Sequence, residues 1–107
     1  MHKLIDSRLL KEKQSLGVVV NHQNIVLVRD TNKAYAYLNN CPHLNITLEF
    51  QDNVFLDQSL EYIQCSNHGA LFEIKTGACI WGPCSGQSLQ PIKIKEFDGA
   101  IWLTETK

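Results

Sequence analysis

At 107 residues the chain is long enough for one domain with its own core, and no second domain is expected. Hydrophobic residues make up 44% of the sequence and charged residues 20%, as in globular proteins and unlike disordered or collagen-like chains. Ten lysines and arginines against eleven aspartates and glutamates give a net charge of −1 without a basic run, which argues against nucleic acid as a partner.

Short hydrophobic runs separated by polar or glycine-containing turns follow one another along the chain. We predict seven strands: Leu16 to Val20, Ile25 to Arg29, Ala34 to Leu38, Leu60 to Gln64, Leu71 to Lys75, Ile92 to Phe97 and Ala100 to Leu103. A helical turn is expected near Ser7 to Lys13. Apolar and charged residues alternate from Ile92 to Lys95, as in a strand with one buried and one solvated face. The pattern predicts an all-β domain built from antiparallel hairpins.

The segment Met1 to Leu10 lacks the uninterrupted apolar core of a secretion signal, because Asp6, Ser7 and Arg8 divide its hydrophobic residues. No apolar stretch approaches the roughly 20 residues of a membrane-spanning helix. We therefore expect a cytoplasmic protein with no membrane partner. In that reducing compartment four cysteines indicate metal binding, redox chemistry or burial rather than a disulfide framework.

The stretch from about Asn39 to Ser88 holds all four cysteines and two of the three prolines, and it is predicted to be built from loops. Within it one residue separates Cys41 from His43, and two residues separate Cys65 from His68. Residues this close on a tight turn can direct two donor atoms at one centre. Thiolate and imidazole donors suit a four-coordinate zinc ion or an iron–sulfur cluster, and the donor set alone does not decide between them. Because each pair mixes one Cys with one His, unlike the pairs of a zinc knuckle, the spacing favours a cluster.

At these residues the chain resembles the Rieske family, whose signature is C-x-H followed later by C-x-x-H and a glycine, here Gly69. The resemblance continues through Ala70 to Phe72, the turn at Thr76 and Gly77, and Trp81 to Pro83, which is similar to the family's cluster-covering loop. It implies a single Rieske domain over residues 1–107. The implied fold is an antiparallel β sandwich with an inserted, loop-built cluster-binding subdomain at about residues 39–88.

The resemblance also implies one [2Fe-2S] cluster per chain. Cys41 and Cys65 would bind one iron, and His43 and His68 would bind the other through Nδ1. Replacing two thiolates by two histidines raises the potential above that of all-cysteine clusters, to a window of about −150 to +300 mV.

High-potential relatives carry an additional cysteine pair and two hydroxyl donors beside the cluster. This chain has Ile46 and Asn67 at the cysteine positions, and Ala70 and Phe72 at the hydroxyl positions. Each missing hydroxyl removes a hydrogen bond that would stabilise the reduced cluster. The resemblance therefore implies a low-potential ferredoxin.

Such a ferredoxin is an electron carrier rather than an enzyme, and it binds no small-molecule substrate. Its expected partners are a reductase and an oxygenase or similar acceptor, which would touch an apolar rim formed by Leu44, Asn45 and Pro83. Three alternatives stay open. They are an electron-transfer subunit of a larger oxidoreductase such as a nitrite reductase, a non-redox interaction module with zinc at the same four residues, and, ranked last, a cluster-based redox sensor.

Cys79 and Cys84 form a C-x4-C pair that opens the plant-type ferredoxin motif, but no C-x2-C completes it. A disulfide between them is an alternative in principle, yet the expected cytoplasmic setting favours two free thiols packed beside the loop at Gly82 and Pro83.

Two further residue types receive no functional role. His2 and His22 lie at the terminus and in a polar turn, where solvated histidines are common. Trp81 and Trp102 are expected in the core, because large aromatic residues of a small β domain are usually buried.

Overall fold

The computed structural model describes residues 2–40, 55–65, 69–82 and 86–104. In these ranges the secondary structure is β apart from one short 3-10 helix, Ser7–Leu9, which confirms the all-β prediction. The strands are β1 (His2–Asp6), β2 (Ser15–Val20), β3 (Gln23–Asp30), β4 (Lys33–Leu38), β5 (Tyr62–Gln64), β6 (Leu71–Glu73), β7 (Cys79–Trp81), β8 (Ile94–Phe97) and β9 (Ala100–Leu103).

The strands form three antiparallel sheets of three strands each. The terminal sheet has the order β1-β9-β8, the central sheet β2-β3-β4 and the small sheet β5-β6-β7. Consecutive strands build the central and small sheets, whereas the terminal sheet pairs β1 with β9, so that His2 lies opposite Leu103. The small sheet lies within the stretch that was predicted to be loop-built.

Strand β3 is the innermost strand, because both of its faces are covered. Ile25 and Leu27 on one face join a core with the terminal sheet, and Val26 and Val28 on the other join a core with the small sheet. Side chains alternate between the faces of a strand, so a continuous apolar run marks a strand that is buried on both sides. Strand β3 thus holds the two halves of the molecule together.

The two cores are defined by their buried residues. The terminal-sheet core contains Leu10, Val20, Ile25, Leu27, Ala34, Ala36, Ile101 and Leu103. The small-sheet core contains Val26, Val28, Tyr37, Phe55, Leu56, Ile63, Cys65, Ala70, Phe72, Ile74 and Leu89. Ile92 and Ile94 pack against the terminal-sheet core, whereas Lys93 and Lys95 are exposed, which confirms the predicted alternation.

An ion pair between a buried arginine and a partly exposed glutamate joins the central sheet to the terminal sheet. Arg29, near the end of β3, donates from Nη1 to Oε1 of Glu96 at 3.0 Å and from Nη2 to Oε2 at 2.6 Å. The Nε atom of Arg29 donates to the backbone oxygen of Leu10. The hydrogen bonds from Arg29 lower the pKa of Glu96, although its partial burial acts in the opposite direction. This paired charge fixes β8 against β3.

Each of the seven predicted strands has a counterpart in the structure: β9 has the predicted bounds, and the other six differ at one or both ends. The predicted helical turn is confirmed as the 3-10 helix Ser7–Leu9. Strands β1 and β7 were not predicted, since charges interrupt the first and the second has three residues. Within the described ranges no helix has the length and apolar character needed to span a membrane.

Candidate metal centre

Of the four predicted ligands, Cys65 lies in the part of the chain that the structure describes. The other predicted ligands and rim residues lie outside the described residues: Cys41, His43, Leu44, Asn45, His68 and Pro83. Ile46 and Asn67, the positions used for the potential, lie outside them as well. The geometry of the centre is therefore built from Cys65 and from the segments that flank the other ligands in sequence.

Cys65 directly follows β5 and is completely buried, with a relative exposure of 0%. Its sulfur is not part of a disulfide. Its backbone N–H donates to the backbone oxygen of Ala70 at 2.9 Å, which holds together the two ends of the connection from β5 to β6. Cys65 belongs to the small-sheet core, so the thiol position is shielded from water and fixed by the sheet.

Gly69, the residue after His68 in sequence, has a φ of +65°. A Cβ at this position would lie 3.7 Å from Nε2 of Gln64 and 3.8 Å from Cζ3 of Trp81, which are ordinary contact distances. Glycine is therefore needed here for its backbone conformation and not for space. The residue lets the chain reverse toward β6 directly after a predicted iron ligand.

Gly82, which ends the described part of the predicted covering loop, is packed against the ligand-bearing connection. Its φ is +108°, and a Cβ there would lie 2.9 Å from Cα of Ala70 and 3.1 Å from its Cβ. Distances below 3.0 Å do not occur without displacement of the backbone or side chain. The loop after β7 and the connection after β5 therefore touch through Gly82 and Ala70.

The chain that leads into the first predicted ligand pair is anchored by backbone hydrogen bonds. Leu38 donates to the oxygen of Gln90 at 2.9 Å, and Asn39 donates to the oxygen of Asn24 at 2.7 Å. Asn40, the residue before Cys41, donates to the oxygen of Leu38 at 2.8 Å. The segment before Cys41 therefore has a fixed course.

Tyr37 ties this first segment to the small sheet. Its hydroxyl donates to the backbone oxygen of Ile74, just after β6, and burial raises the pKa of the Tyr37 hydroxyl to about 12. Because Tyr37 and Cys65 belong to the same core, both predicted ligand segments are supported by one packed unit.

The prediction that Trp81 lies in the core is wrong. Its side chain is 60% exposed, and that of its neighbour Ile80 is 45% exposed. The cause is sheet order: β7 is an edge strand that pairs with β6 on one side, and sequence periodicity does not show which strand is at the edge. Trp102 is partly buried and stacks on Phe97 with 5.3 Å between the ring centroids.

The expectation of a free thiol is wrong for Cys79, which is disulfide-bonded in the structure. The expectation used the redox state of a cellular compartment, which carries no information about the geometry of this loop.

His2 and His22 are both exposed. His2 begins β1 rather than lying in a loose terminus, and His22 occupies the turn between β2 and β3. Among the described residues no three His, Cys, Asp or Glu side chains converge on a possible metal position. That result follows from the ligand prediction, since three of its four residues lie outside those ranges.

The family model of the Rieske [2Fe-2S] domain matches residues 1–98 of the chain. The protein therefore belongs to the Rieske [2Fe-2S] domain family, which confirms the resemblance and the predicted cofactor. The described surroundings fit such a cluster: a shielded sulfur donor at Cys65, a positive-φ turn at Gly69, and a close backbone approach between Gly82 and Ala70.

Solved structures show the same fold. The ferredoxin of carbazole 1,9a-dioxygenase from Nocardioides aromaticivorans IC177 is 21% identical, with a TM-score of 0.79 over 97% of this chain and 96% of that chain. The ferredoxin of Sphingomonas yanoikuyae B1 is 21% identical, with a TM-score of 0.76 over 97% of each chain.

A third similar structure is the reduced complex between oxygenase and ferredoxin in carbazole 1,9a-dioxygenase. It is 17% identical with a TM-score of 0.78, and the match covers 95% of this chain but 27% of that chain. At these identities the similarity shows the fold. A comparison with curated protein sequences found no match.

Proposed function

We propose that this protein is a Rieske ferredoxin that carries single electrons from a reductase to an oxygenase or a similar acceptor. The observation that carries the proposal is the family match over residues 1–98, together with a fold shared with two ferredoxins over nearly their whole length. The printed names of other similar structures describe complexes of an oxygenase with a ferredoxin. They support an oxygenase as the acceptor.

We propose Cys41 and Cys65 as the ligands of one iron, and His43 and His68 as the ligands of the other. When bound, the cluster supplies a site that gains and loses one electron. The burial of Cys65 keeps water from its sulfur, and the hydrogen bond between Cys65 and Ala70 fixes the start and end of the second ligand segment. The proposed role of this chain is thus to hold two short ligand segments in a fixed relation.

The low potential expected from the sequence is part of the proposal, and the burial of two side chains supports it. Ala70 and Phe72 occupy the positions where high-potential relatives carry hydroxyls, and both are buried, with exposures of 1% and 0%. Neither side chain can donate a hydrogen bond to the cluster or its ligands. The reduced form is therefore stabilised less than in a protein with those hydroxyls.

The proposed location is the cytoplasm, and the Cys79 disulfide is the observation that stands against it. Alkylation of thiols at the moment of cell lysis, followed by peptide mass spectrometry, measures the state of Cys79 directly. An alkylated Cys79 agrees with a reducing compartment, and a protected Cys79 contradicts the proposed location.

The test of the carrier function is spectroscopic. Anaerobically purified protein is expected to contain about two irons and two labile sulfides per chain and to give a Rieske electron paramagnetic resonance signal after reduction by dithionite. Protein that contains zinc, no sulfide and no reducible visible band would contradict the function and would support the zinc module.

The ligand assignment is tested by a matched pair of cysteine variants. Cys65→Ser is expected to abolish the signal, because a ligand is lost. Cys79→Ser is expected to retain it, because Cys79 is not a proposed ligand. Loss of the signal in both variants would mean that general disruption of the fold, and not ligation, accounts for the effect.

A further inference from the structure

We infer that Tyr37 is a positioning residue of the centre: its side chain fixes the segment that leads into Cys41 against the β6–β7 hairpin, which follows Cys65 in the chain. This inference rests on the proposed function, since it concerns how the same cluster is held. Tyr37 lies in β4, four residues before Cys41, and its side chain is buried. A buried tyrosine hydroxyl needs a hydrogen-bond partner, and that partner shows which segment the side chain holds.

The hydroxyl of Tyr37 holds the turn that joins β6 to β7. It donates a hydrogen bond to the backbone oxygen of Ile74, the residue directly after β6. Ile74 is itself buried, and a buried peptide oxygen is costly to leave without a donor. The bond therefore satisfies the turn as well as the tyrosine, and loss of the hydroxyl would leave the Ile74 oxygen without this donor.

The ring of Tyr37 packs against the same turn at Gly77. Gly77 has a φ of +76°, and a Cβ built there would lie 2.7 Å from Cε1 and 3.2 Å from Cδ1 of Tyr37. The N–H of Gly77 donates to the oxygen of Glu73 at 2.8 Å, which closes the turn, and the oxygen of Gly77 accepts from the N–H of Leu89 at 2.8 Å. The turn thus lies directly on the aromatic ring, with no space for a side chain between them.

The segment that leaves the predicted cluster-binding stretch is joined at the same place. Pro91 forms an antiparallel bridge with Tyr37. The N–H of Ile92 donates to the oxygen of Ala36 at 2.9 Å, so the returning chain runs along β4. Tyr37 therefore contacts the strand that enters the stretch, the hairpin inside it and the segment that leaves it.

The hairpin connects this contact to the proposed ligands. From Ile74 back to Ala70 the chain spans four residues, which is about 13 Å at about 3.3 Å per residue. Ala70 accepts the hydrogen bond from the N–H of Cys65 and lies against Gly82. Because β6 and β7 are paired, a displacement of the hairpin at its turn also displaces its other end. The position of the second ligand segment relative to the first therefore depends on Tyr37.

The experiment removes the hydroxyl and keeps the ring, in Tyr37→Phe. Tyr35→Phe is the chemical control, since Tyr35 lies in the same strand and packs against the same core, but its hydroxyl has no hydrogen-bond partner within the described ranges. Ile101→Val is the stability control, because it removes a buried methyl group from the terminal-sheet core. Thermal unfolding compares the stability of the three variants. The readouts on reduced holoprotein are the potential from protein-film voltammetry and the width of the electron paramagnetic resonance lines.

Tyr37→Phe is expected to raise the potential and broaden the lines, because a loosened hairpin admits water that stabilises the more negative reduced cluster. Its cluster absorbance is expected to decay about tenfold faster below the unfolding temperature, as befits an unsatisfied buried oxygen. Both controls should retain the wild-type potential and line width. An unchanged or lowered potential in Tyr37→Phe, or an equal rise in either control, would overturn the inference.

A double-mutant cycle tests the ring contact. In the wild type, Gly77→Ala directs a methyl group into the Tyr37 ring and also imposes the strain of a positive φ. In a Tyr37→Leu background the ring is absent, so Gly77→Ala should accelerate cluster decay at least about threefold less than it does in the wild type. Equal accelerations in the two backgrounds would overturn the inference. Wild-type protein without a Rieske signal would instead contradict the proposed function, so the two failures are distinguishable.

Discussion

Gly82 packs closely against Ala70, where the loop after β7 meets the connection after β5. Ala70 ends the connection that contains the proposed ligand His68, and Gly82 lies within the loop, Trp81 to Pro83, that is expected to cover the cluster. Any atom added to Gly82 meets the Cα of Ala70 rather than a movable side-chain end. The spacing of the two loops is therefore controlled by the absence of a side chain.

We predict that Gly82→Ala shifts the reduction potential of the cluster and speeds its loss, because the added methyl group pushes the two loops apart. Gly86→Ala is the control, since Gly86 also has a positive φ, +90°, but nothing lies within 4 Å of a Cβ placed there. Both variants carry the backbone strain of about 1–2 kcal/mol that a positive φ imposes on alanine. Protein-film voltammetry measures the potential, and equal shifts in the two variants would refute a role for the Gly82 contact.

For single residues, the sequence predicts which side chains can bind the cluster better than it predicts how exposed a side chain is. The donor types of Cys65 and His68 follow from the residues themselves, so the signature was sufficient to propose them. The exposure of Trp81 was not predictable, because it depends on β7 being the edge strand of a sheet that forms from residues distant in sequence. The close approach at Gly82 also depends on the relative position of two loops, which spacing does not encode.

At the scale of the strands, the ion pair of Arg29 and Glu96 connects β3 of the central sheet to β8 of the terminal sheet. Arg29 has a side-chain exposure of 10%, so its charge is largely removed from water and needs Glu96 as a partner. This ion pair could not be predicted from the sequence. An arginine at the end of a predicted strand and a glutamate near the end of another are each typical of solvated turns.

We predict that Glu96→Gln lowers the free energy of unfolding at pH 7 by about 1–3 kcal/mol, because Arg29 is left buried without its counter-charge. The folded state lowers the pKa of Glu96 below its ordinary value of 4.5, so its stabilisation is present above that value and is lost as the pH falls through the folded pKa. The difference between wild type and Glu96→Gln should therefore shrink as the pH is lowered below about 4.5.

Urea unfolding followed by tryptophan fluorescence between pH 7 and acid measures this difference. Glu61→Gln is the control, since Glu61 is an exposed carboxylate that directly precedes β5 and makes no hydrogen bond to Arg29 in the described structure. A constant difference for Glu96→Gln across the whole pH range would show that the ionised carboxylate is not what stabilises the contact.

Strand prediction worked where burial on one or both faces leaves a clear pattern. The continuous apolar run of β3 and the alternation from Ile92 to Lys95 were each sufficient to predict a strand. Strand β7 was missed because three residues cannot establish a period of two, and its pairing with β6 decides its conformation.

For the whole molecule, the division into two cores makes it possible to separate stability from cluster retention. Ile63 in the small-sheet core and Ile101 in the terminal-sheet core are the same residue type, and both have an exposure of 0%. Ile63 lies two residues before Cys65, whereas Ile101 lies in β9 beyond the central sheet. The two positions are matched in residue type and burial, and they differ in which core they support.

We predict that Ile63→Ala and Ile101→Ala each lower the free energy of unfolding by about 2–5 kcal/mol, the range for removing a buried isoleucine side chain. Ile63→Ala alone should shorten the lifetime of the visible cluster absorbance well below the unfolding temperature. Parallel measurement of thermal unfolding and of absorbance decay at a fixed lower temperature checks this. Similar cluster lifetimes in the two variants would mean that the small-sheet core does not retain the cluster independently of the terminal-sheet core.

The pairing of β1 with β9 has a consequence for the order in which the protein assembles. The terminal sheet joins residues on the order of 100 positions apart, so it cannot form until the last strand has been synthesised. The central and small sheets are made of consecutive strands, and each can form as soon as its own three strands have left the ribosome. The sheets that support the proposed ligand segments are therefore complete before the chain ends meet. Closure of the terminal sheet then covers the face of β3 that carries Ile25 and Leu27.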